Sequence, residues 1–336
     1  MSQHPNIAYM YKLIEAFPHN ITESLEIASR YTFKKPKYQI NNIVICGMGG
    51  SGIGGKIVSQ WIQDEVKTPI ILVQDYSLPA FVNQHTLVIG CSYSGNTEET
   101  LYSLEAGKKA GAHIIGLTSG GKLQAFCESN GYEVVLVPGG NPPRTTLAFS
   151  LGQLLNIFTQ LELISHSNLE RYRSCATFLL DNQEEFMKEA RCLASFIKAK
   201  NLLMYSASNY EAVAIRARQQ FNENSKILCI HHVIPEMNHN ELVGWGLGND
   251  SYGVLFFDSK DWFDRNRVRM EFSRDYIAKK HAHIYTLEAK GDTIMERSIH
   301  FINVVDWASF YLAELNHVDP IEIDVINELK EKLDKY

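Results

Sequence analysis

The stretch CGMGGSGIGGK at 46–56 contains a glycine spacing that is found in nucleotide and phosphate sites. Gly47, Gly49 and Gly52 fit Gly-x-Gly-x-x-Gly, which after a strand and before a helix is the fingerprint of a dinucleotide-binding loop. The preceding NNIVIC has the apolar character of a buried strand, and the following residues have helical periodicity. Asp75 lies about where the ribose-binding acid of such a site is expected. The loop alone therefore leaves a dinucleotide and a simple phosphate both open.

A second stretch, CSYSGNTEET, places three hydroxyl groups between a predicted strand and the start of a predicted helix. They belong to Ser92, Ser94 and Thr97, and Gly95 permits a tight backbone between them. Hydroxyls together with the free amides of a helix N-terminus form a binding site for a phosphate monoester. The same composition is also typical of a simple turn with a helix cap, for which Asn96 or Thr97 is suited.

Together, the two stretches favour a sugar phosphate over a dinucleotide. A dinucleotide site needs one glycine loop and an acid on the second strand, so it leaves the hydroxyl-rich stretch unexplained. A phosphosugar uses both stretches, because Gly49, Gly50 and Ser51 allow close approach of the backbone while the hydroxyl groups hold the phosphate. A nicotinamide enzyme stays an alternative that titration with NADH would test.

The composition limits the kinds of partner. The 336 residues include 32 basic and 38 acidic side chains, giving a net charge of −6 without a long basic block. We therefore expect neither nucleic acid nor an anionic membrane as a partner. The six cysteines are scattered without a Cys-x-x-Cys motif, which predicts buried, reduced thiols. The N-terminus does not resemble a signal peptide and no apolar run is long enough for a membrane span, so we expect a cytoplasmic protein.

The alternation of apolar runs and helical patterns predicts an α/β fold with two doubly wound parallel sheets joined by helices. In the first half, strands are predicted near 43–46, 70–74, 86–91, 113–117 and 133–137. Residues 146–198 have helical composition, and a second alternating block begins at NLLMYSAS. These patterns predict an N-terminal subdomain at 1–150, a helical connection at 151–200 and a C-terminal subdomain at 201–336.

Five ordered motifs carry a resemblance to a known family. They are GMGGSGIGG, SYSGNTEET, NPPR, FNENSK and PEMNHNELVGW. In this order they resemble the bifunctional phosphoglucose/phosphomannose isomerase family, over nearly the whole chain. The resemblance implies two sugar isomerase subdomains. It also implies interconversion of glucose 6-phosphate, and of mannose 6-phosphate, with fructose 6-phosphate through an enediol, without a metal or a cofactor.

The resemblance also implies roles for single residues. Glu223 is expected to move the proton between C1 and C2, and Arg144 to stabilise the enediolate. His239 is expected to open the sugar ring and to be donated by the neighbouring subunit, which implies a homodimer. Lys330 is expected to assist, although Lys332 lies close enough to leave the register open. Without the resemblance, Glu223 would be interpreted as an exposed glutamate, Arg144 as part of a surface ion pair and Lys330 as part of a solvated helix face.

Other interpretations remain open at this point. Glu236, His239 and Glu241 are closely spaced and could bind a metal, although metal-ligand spacing such as His-x-x-x-His is lacking. Adjacent His231 and His232 are predicted to be structural or surface residues on opposite faces of a strand. A non-catalytic phosphosugar-binding regulator is one alternative; such proteins usually carry a DNA-binding helix-turn-helix, and the first 40 residues offer no recognition helix of that kind. An isomerase of another sugar phosphate is a further alternative.

Overall fold

The computed structural model describes residues 6–333 and 335, and it consists of helices and two parallel sheets. The first elements are α1 (Asn6–Glu15), α2 (Phe17–Ala28), β1 (Asn42–Cys46), α3 (Gly49–Trp61), β2 (Ile70–Val73), β3 (Thr86–Cys91), α4 (Glu98–Lys109), β4 (His113–Thr118), α5 (Gly121–Asn130) and β5 (Glu133–Leu136). Three helices follow, namely α6 (Leu147–Gln160), α7 (Ser167–Asp181) and α8 (Gln183–Ile197). The remaining elements are β6 (Asn201–Ala207), α9 (Glu211–Ser225), β7 (Cys229–Ile234), α10 (Glu241–Gly244), β8 (Tyr252–Asp258), α11 (Asp264–Ala278), β9 (His283–Glu288), α12 (Ile294–Asn316) and α13 (Asp324–Leu333).

The first-sheet unit comprises Ala16–Asp181 and Gly291–Ile299. Its five parallel strands have the order β2-β1-β3-β4-β5. The central strand β3 has the sequence TLVIGC and all six of its residues are buried, as expected for a strand with helices on both faces. One part of the core on this sheet consists of Val44, Cys46, Val73, Val88, Leu104, Ala112, Ile114, Leu123 and Cys127.

The second-sheet unit comprises Asn182–Lys290, the first helix and the segment that begins at His300. Its four parallel strands have the order β7-β6-β8-β9, so that β7 is an edge strand. Helix α12 is buried from Arg297 to Ala313, but it carries polar side chains that are paired inside the protein. No helix in the part of the chain that the structure describes is long and apolar enough to cross a membrane.

The strands and helices predicted from the sequence are confirmed, as is the pair of doubly wound parallel sheets. The thiols agree with the prediction only in part. Five cysteines are free and buried, whereas Cys192 is free and exposed. The exception arises because Cys192 lies on an outward position of the amphipathic helix α8, whose buried positions are Phe186, Ala190, Leu193, Ala194 and Ile197.

Candidate functional site

The strand order of the first sheet places its ligand crevice at the ends of β1 and β3. The chain leaves β1 toward β2 on one side and later continues from β3 toward β4 on the other. In doubly wound sheets, ligands bind outside the carboxyl ends of the strands where the order reverses in this way. The two stretches singled out from the sequence follow these two strands. We call residues 47–51 the first loop and residues 92–97 the second loop.

Gly47 in the first loop and Gly52 directly after it permit close packing of the chain. A Cβ atom at Gly52 would lie 2.2 Å from the carbonyl oxygen of Gly47, and one at Gly47 would lie 2.9 Å from the carbonyl oxygen of Cys91. Both distances are too short for any larger residue. Gly49 has no such contact, but its φ angle of +49° favours glycine. The Gly-x-Gly-x-x-Gly spacing is therefore explained by the backbone of the turn and does not require a dinucleotide. The last residues of the loop, from Gly49 to Ser51, form the first turn of α3.

The second loop gathers its hydroxyl groups at the start of α4. Ser92 is fully buried, and its Oγ lies 2.8 Å from Oγ1 of Thr97. Ser94 is exposed, and its Oγ accepts a hydrogen bond from the backbone N–H of Asn96. Thr97 occupies the predicted N-cap position, but its hydroxyl bonds to Ser92 and does not cap the helix. The first amides of α4 are thus left without a side-chain cap, as a phosphate site at a helix N-terminus requires.

Tyr93 holds the two loops together, although the sequence did not predict a role for it. Its backbone N–H donates to Oγ of Ser51, which connects the second loop to the first. Its hydroxyl donates to the carbonyl of Pro138 (2.9 Å), and the backbone N–H of Asn141 donates to that hydroxyl. Its carbonyl accepts from Oγ of Ser119. Its position between two of the predicted phosphate-binding serines was the available clue.

Arg144 approaches the first loop along its backbone. It lies in the short 3-10 turn Pro143–Thr145 and is only 2% exposed. A Cβ atom at Gly50 would lie 3.1 Å from the backbone nitrogen of Arg144, so Gly50 permits this approach. The alternative interpretation of Arg144 as a surface ion pair is wrong, because its side chain is buried.

A small cavity lies beneath the two loops. Its volume of about 20 Å³ accommodates one water molecule rather than a phosphate. Cys91 lines it together with Ser51 and Ser92, and burial raises the pKa of the Cys91 thiol to about 12. The thiol therefore stays protonated at neutral pH and is a poor nucleophile. The exposed side of the second loop instead presents the Ser94 hydroxyl near the start of α4, where no side chain caps the helix.

The second sheet also has a reversal of strand order, between β6 and β8, but its polar groups are already engaged. The hydroxyl of Tyr210 donates to both carboxylate oxygens of Asp261, at 3.0 and 2.9 Å. Oγ of Ser259 also donates to this carboxylate. An anionic group of the chain itself thus takes the hydrogen bonds that a ligand would need here. A phosphate is therefore better accommodated at the first sheet.

Glu223 lies in the last turn of α9 and is half-buried. The helix is held against α12 by buried polar contacts. Arg216 pairs with Asp306 at 2.7 Å, and Nδ2 of Asn224 donates to Oγ of Ser309. These contacts fix the end of α9, so that the backbone next to Glu223 has a defined position.

His239 lies in an irregular segment after β7. We call residues 236–247 the His239 loop; it contains two short 3-10 turns and α10. Met237 is fully buried and Nδ2 of Asn238 donates to Oγ of Ser273 (2.7 Å), whereas His239 itself is exposed. The loop is thus anchored on one face and presents the imidazole on the other.

The carboxylates near His239 have partners other than a metal. Oε1 of Glu236 accepts from Nδ2 of Asn240. Glu241 accepts from the hydroxyl of Tyr205 and from Nδ1 of His232, each at 2.5 Å. In the described residues, no group of three or more His, Cys, Asp or Glu side chains is arranged to hold a metal ion. His232, which was predicted to be structural or at the surface, is a contact of this loop.

The predicted site residues fall into two sets. The first-sheet unit brings together Gly49, Gly50, Ser51, Ser92, Ser94, Thr97 and Arg144. The second-sheet unit carries Glu223 on α9, His239 in its loop and Lys330 on α13. Lys330 and Lys332 are both exposed on α13, so burial does not distinguish them.

Comparison with known proteins identifies relatives along nearly the whole chain. A family model described as the bacterial phospho-glucose isomerase C-terminal SIS domain matches residues 186–333. A bifunctional phosphoglucose/phosphomannose isomerase from Caldicellulosiruptor bescii is 34% identical over 336 residues, covering 96% of this chain and 98% of the relative. The protein of the same name from Aquifex aeolicus is 34% identical over 331 residues, covering 97% and 99%.

A solved structure shows the same fold. A hypothetical protein from Thermus thermophilus superposes with a TM-score of 0.76, covering 99% of this chain and 90% of that chain at 16% identity. The identity is too low to carry more than the fold. The two curated relatives, by contrast, align with this chain almost from end to end, and a third of the aligned positions are identical. The chain belongs to the bifunctional phosphoglucose/phosphomannose isomerase family.

Proposed function

We propose that the protein interconverts glucose 6-phosphate and mannose 6-phosphate with fructose 6-phosphate through an enediol intermediate. The observation that carries the proposal is the end-to-end relationship to bifunctional phosphoglucose/phosphomannose isomerases. The hydroxyl groups at the reversal point of the first sheet support the proposal, because such groups suit the phosphate of these substrates. We assign phosphate binding to the subdomain at 1–150 and acid–base chemistry to the subdomain at 201–336, with 151–200 as their helical connection.

The second loop is proposed to hold the phosphate. Ser94 and Thr97 offer hydroxyl groups, and the first amides of α4 point out of the helix toward the same region. Ser92 orients Thr97 through the hydrogen bond between their hydroxyls. Gly49, Gly50 and Ser51 of the first loop allow the ligand to approach the backbone.

Arg144 and Glu223 are proposed to act on the reacting carbons. A guanidinium stays charged at any working pH, so Arg144 can stabilise the negative charge of the enediolate. A carboxylate can take the proton from one carbon and return it to the other, and Glu223 is the family-matched candidate for this general base. Neither step requires a metal or an organic cofactor.

His239 is proposed to open the ring in the active site of a second subunit. Two observations support a homodimer. His239 is exposed, and its loop also exposes Val243 (80%) and Leu247 (102%). Leu228 (92%) and Ile230 (60%) are exposed at the edge strand β7. Exposed apolar side chains on a sheet edge are normally covered, and a second copy of the chain would cover them.

Mixed dimers test the donation of His239. Glu223→Gln and His239→Ala subunits are each expected to be nearly inactive alone. After subunit exchange, a mixed dimer would contain one site with both residues intact, so part of the activity should return. No recovery, with exchange verified by native mass spectrometry, would mean that His239 acts within its own chain. Lys330, or Lys332 in its place, is proposed to assist, and single Lys→Met variants of each would identify the one required.

A coupled assay tests the proposed activity itself. Glucose 6-phosphate and mannose 6-phosphate are supplied separately, with and without EDTA, and formation of fructose 6-phosphate is followed. We expect activity with both substrates, undiminished by the chelator, and none with free glucose. Activity lost with EDTA and restored by zinc would refute metal independence. Binding of hexose phosphate without turnover would favour a regulatory protein. Turnover of another sugar phosphate alone would mean that the enzyme has a different substrate.

The cytoplasmic location remains a prediction from the sequence.

A further inference from the structure

Glu241 connects the His239 loop to two strands of the second sheet. We propose that Glu241 is a positioning residue that acts through Tyr205 and His232 to hold His239 in place. The inference rests on the proposed function, in which His239 opens the sugar ring. It adds His232 to the residues on which the reaction depends, although no sequence pattern distinguishes it from the other histidines.

The hydrogen bonds around Glu241 have a defined direction. Nε1 of Trp245 donates to the hydroxyl of Tyr205 at 3.1 Å, and that hydroxyl donates to Oε1 of Glu241 at 2.5 Å. On the other side, Nδ1 of His232 lies 2.5 Å from Oε2. An ionised carboxylate only accepts hydrogen bonds, so Nδ1 of His232 carries the proton. One carboxylate thereby ties its helix to β6 through Tyr205 and to β7 through His232.

The geometry makes these contacts relevant to His239. Glu241 begins α10 two residues after His239, and the side chain of Asn240 accepts from the backbone N–H of Glu241 at 2.5 Å. On the preceding side, Asn238 is fixed by its bond to Ser273. His239 is therefore held between two anchored neighbours although it is itself exposed. Loss of the Glu241 contacts would release one of the two anchors.

His232 offers the mildest way to weaken the Glu241 anchor. Its side chain is 31% exposed, so truncation leaves the core intact. Two alternatives predict different results from the same position. If His232 were itself an acid or base, any residue without an imidazole would fail there. If His232 only donates to Glu241, asparagine can replace it, because its Nδ2 reaches about where Nδ1 of histidine lies and carries hydrogens.

The experiment compares His232→Ala with His232→Asn in the full-length protein. For each we would measure kcat and KM with glucose 6-phosphate, the thermal midpoint, and the rate of hydrogen exchange at C2. We expect His232→Ala to lower kcat about 10-fold, because a hydrogen bond to a charged group is lost and His239 is displaced. KM should change less than about twofold, since the phosphate loops are untouched. His232→Asn should recover kcat to within about threefold of the wild type.

Controls separate this inference from the proposed function. His231→Ala removes the neighbouring imidazole, which lies on the opposite face of β7, and should leave kcat unchanged. His239→Ala should lower kcat by roughly 10² or more. If His239→Ala is impaired but His232→Ala is not, the positioning role is wrong and the proposed function stands. An equal loss of kcat in His232→Ala and His232→Asn would also overturn the positioning role. If His239→Ala is fully active, His239 does not open the ring, and the proposal that Glu241 and His232 position it is wrong as well.

Discussion

Gly95 is the position at which the smallest substitution should do most harm to the proposed phosphate site. Its φ angle is +71°, in the left-handed region that favours glycine. A Cβ atom there would lie 1.8 Å from the carbonyl oxygen of Gly120 and 2.9 Å from Oγ1 of Thr118. Gly95→Ala therefore brings together a conformational cost and a collision with the backbone of a neighbouring loop.

The size of the effect follows from the geometry. Ordinary van der Waals contact begins near 3.4 Å, whereas the Cβ atom would lie 1.8 Å from the carbonyl oxygen of Gly120. The two backbones must therefore move apart by about 1.6 Å. The left-handed conformation itself costs a residue with a Cβ about 1–2 kcal/mol. Because Gly95 lies between Ser94 and Thr97, the displacement moves the proposed phosphate ligands. A misplacement of about 1 Å can cost roughly 10²-fold, so we expect kcat/KM to fall by about that factor.

Gly111 provides a matched control at the other end of α4. Its φ angle is +72°, but a Cβ atom there would have no neighbour closer than 4.0 Å. Gly111→Ala should thus lose about 1–2 kcal/mol of stability from the backbone alone. It should leave kcat/KM at the wild-type value, since no loop has to move.

The assay is steady-state isomerisation of glucose 6-phosphate, with the thermal midpoint of each variant measured alongside. The test temperature must lie well below the lowest midpoint, so that unfolding does not contribute to the loss. If Gly95→Ala and Gly111→Ala both keep wild-type kcat/KM, the collision at Gly120 does not disturb the substrate and the proposed phosphate site is misplaced. If both lose activity equally, the left-handed backbone and not the collision is responsible.

Three further changes test other parts of the arrangement. Ser94→Ala with Thr97→Ala should raise KM at least about 10-fold and leave kcat little changed, because the lost hydrogen bonds to phosphate are shared by the ground and transition states; an unchanged KM would place the phosphate elsewhere. Glu223→Gln should lower kcat by roughly 10²–10⁴ and slow deuterium incorporation at C2 equally, and retention of both rates would exclude Glu223 as the base. Iodoacetamide should label Cys192 well before the five buried thiols and leave activity intact; rapid labelling of a buried thiol would contradict the burial described above.

The fold could be predicted because its information is local. Apolar runs such as TLVIGC have no polar face, so they fit only strands buried on both sides. The alternation of these runs with helical segments then requires parallel strands with helical crossovers. The sequence also places the first loop and the second loop at strand ends, and the strand order then identifies the ligand crevice between them.

The contacts of single side chains could not be predicted in the same way. His232 meets Glu241 only because β7 pairs with β6 and the following loop turns back over both. Arg144 is buried because Gly50 permits the close approach of another segment, which no local pattern records. Tyr93 looks like a spacer between serines until the positions of Ser51 and Pro138 are known.

The difference between the two reversal points bears on the proposed functions of the two sheets. At the first sheet, the exposed hydroxyl of Ser94 and the uncapped start of α4 favour an anionic ligand. At the second sheet, the Asp261 carboxylate takes the hydrogen bonds of Tyr210 and Ser259. A phosphate dianion placed there would meet a like charge and lose those donors. Because Glu98 and Glu99 also lie in the first turn of α4, the two reversal points differ in their available donors and not in charge alone. These donors favour one phosphate site per chain, at the first sheet, and the second-sheet unit carries Glu223 and His239 for the proposed proton transfers.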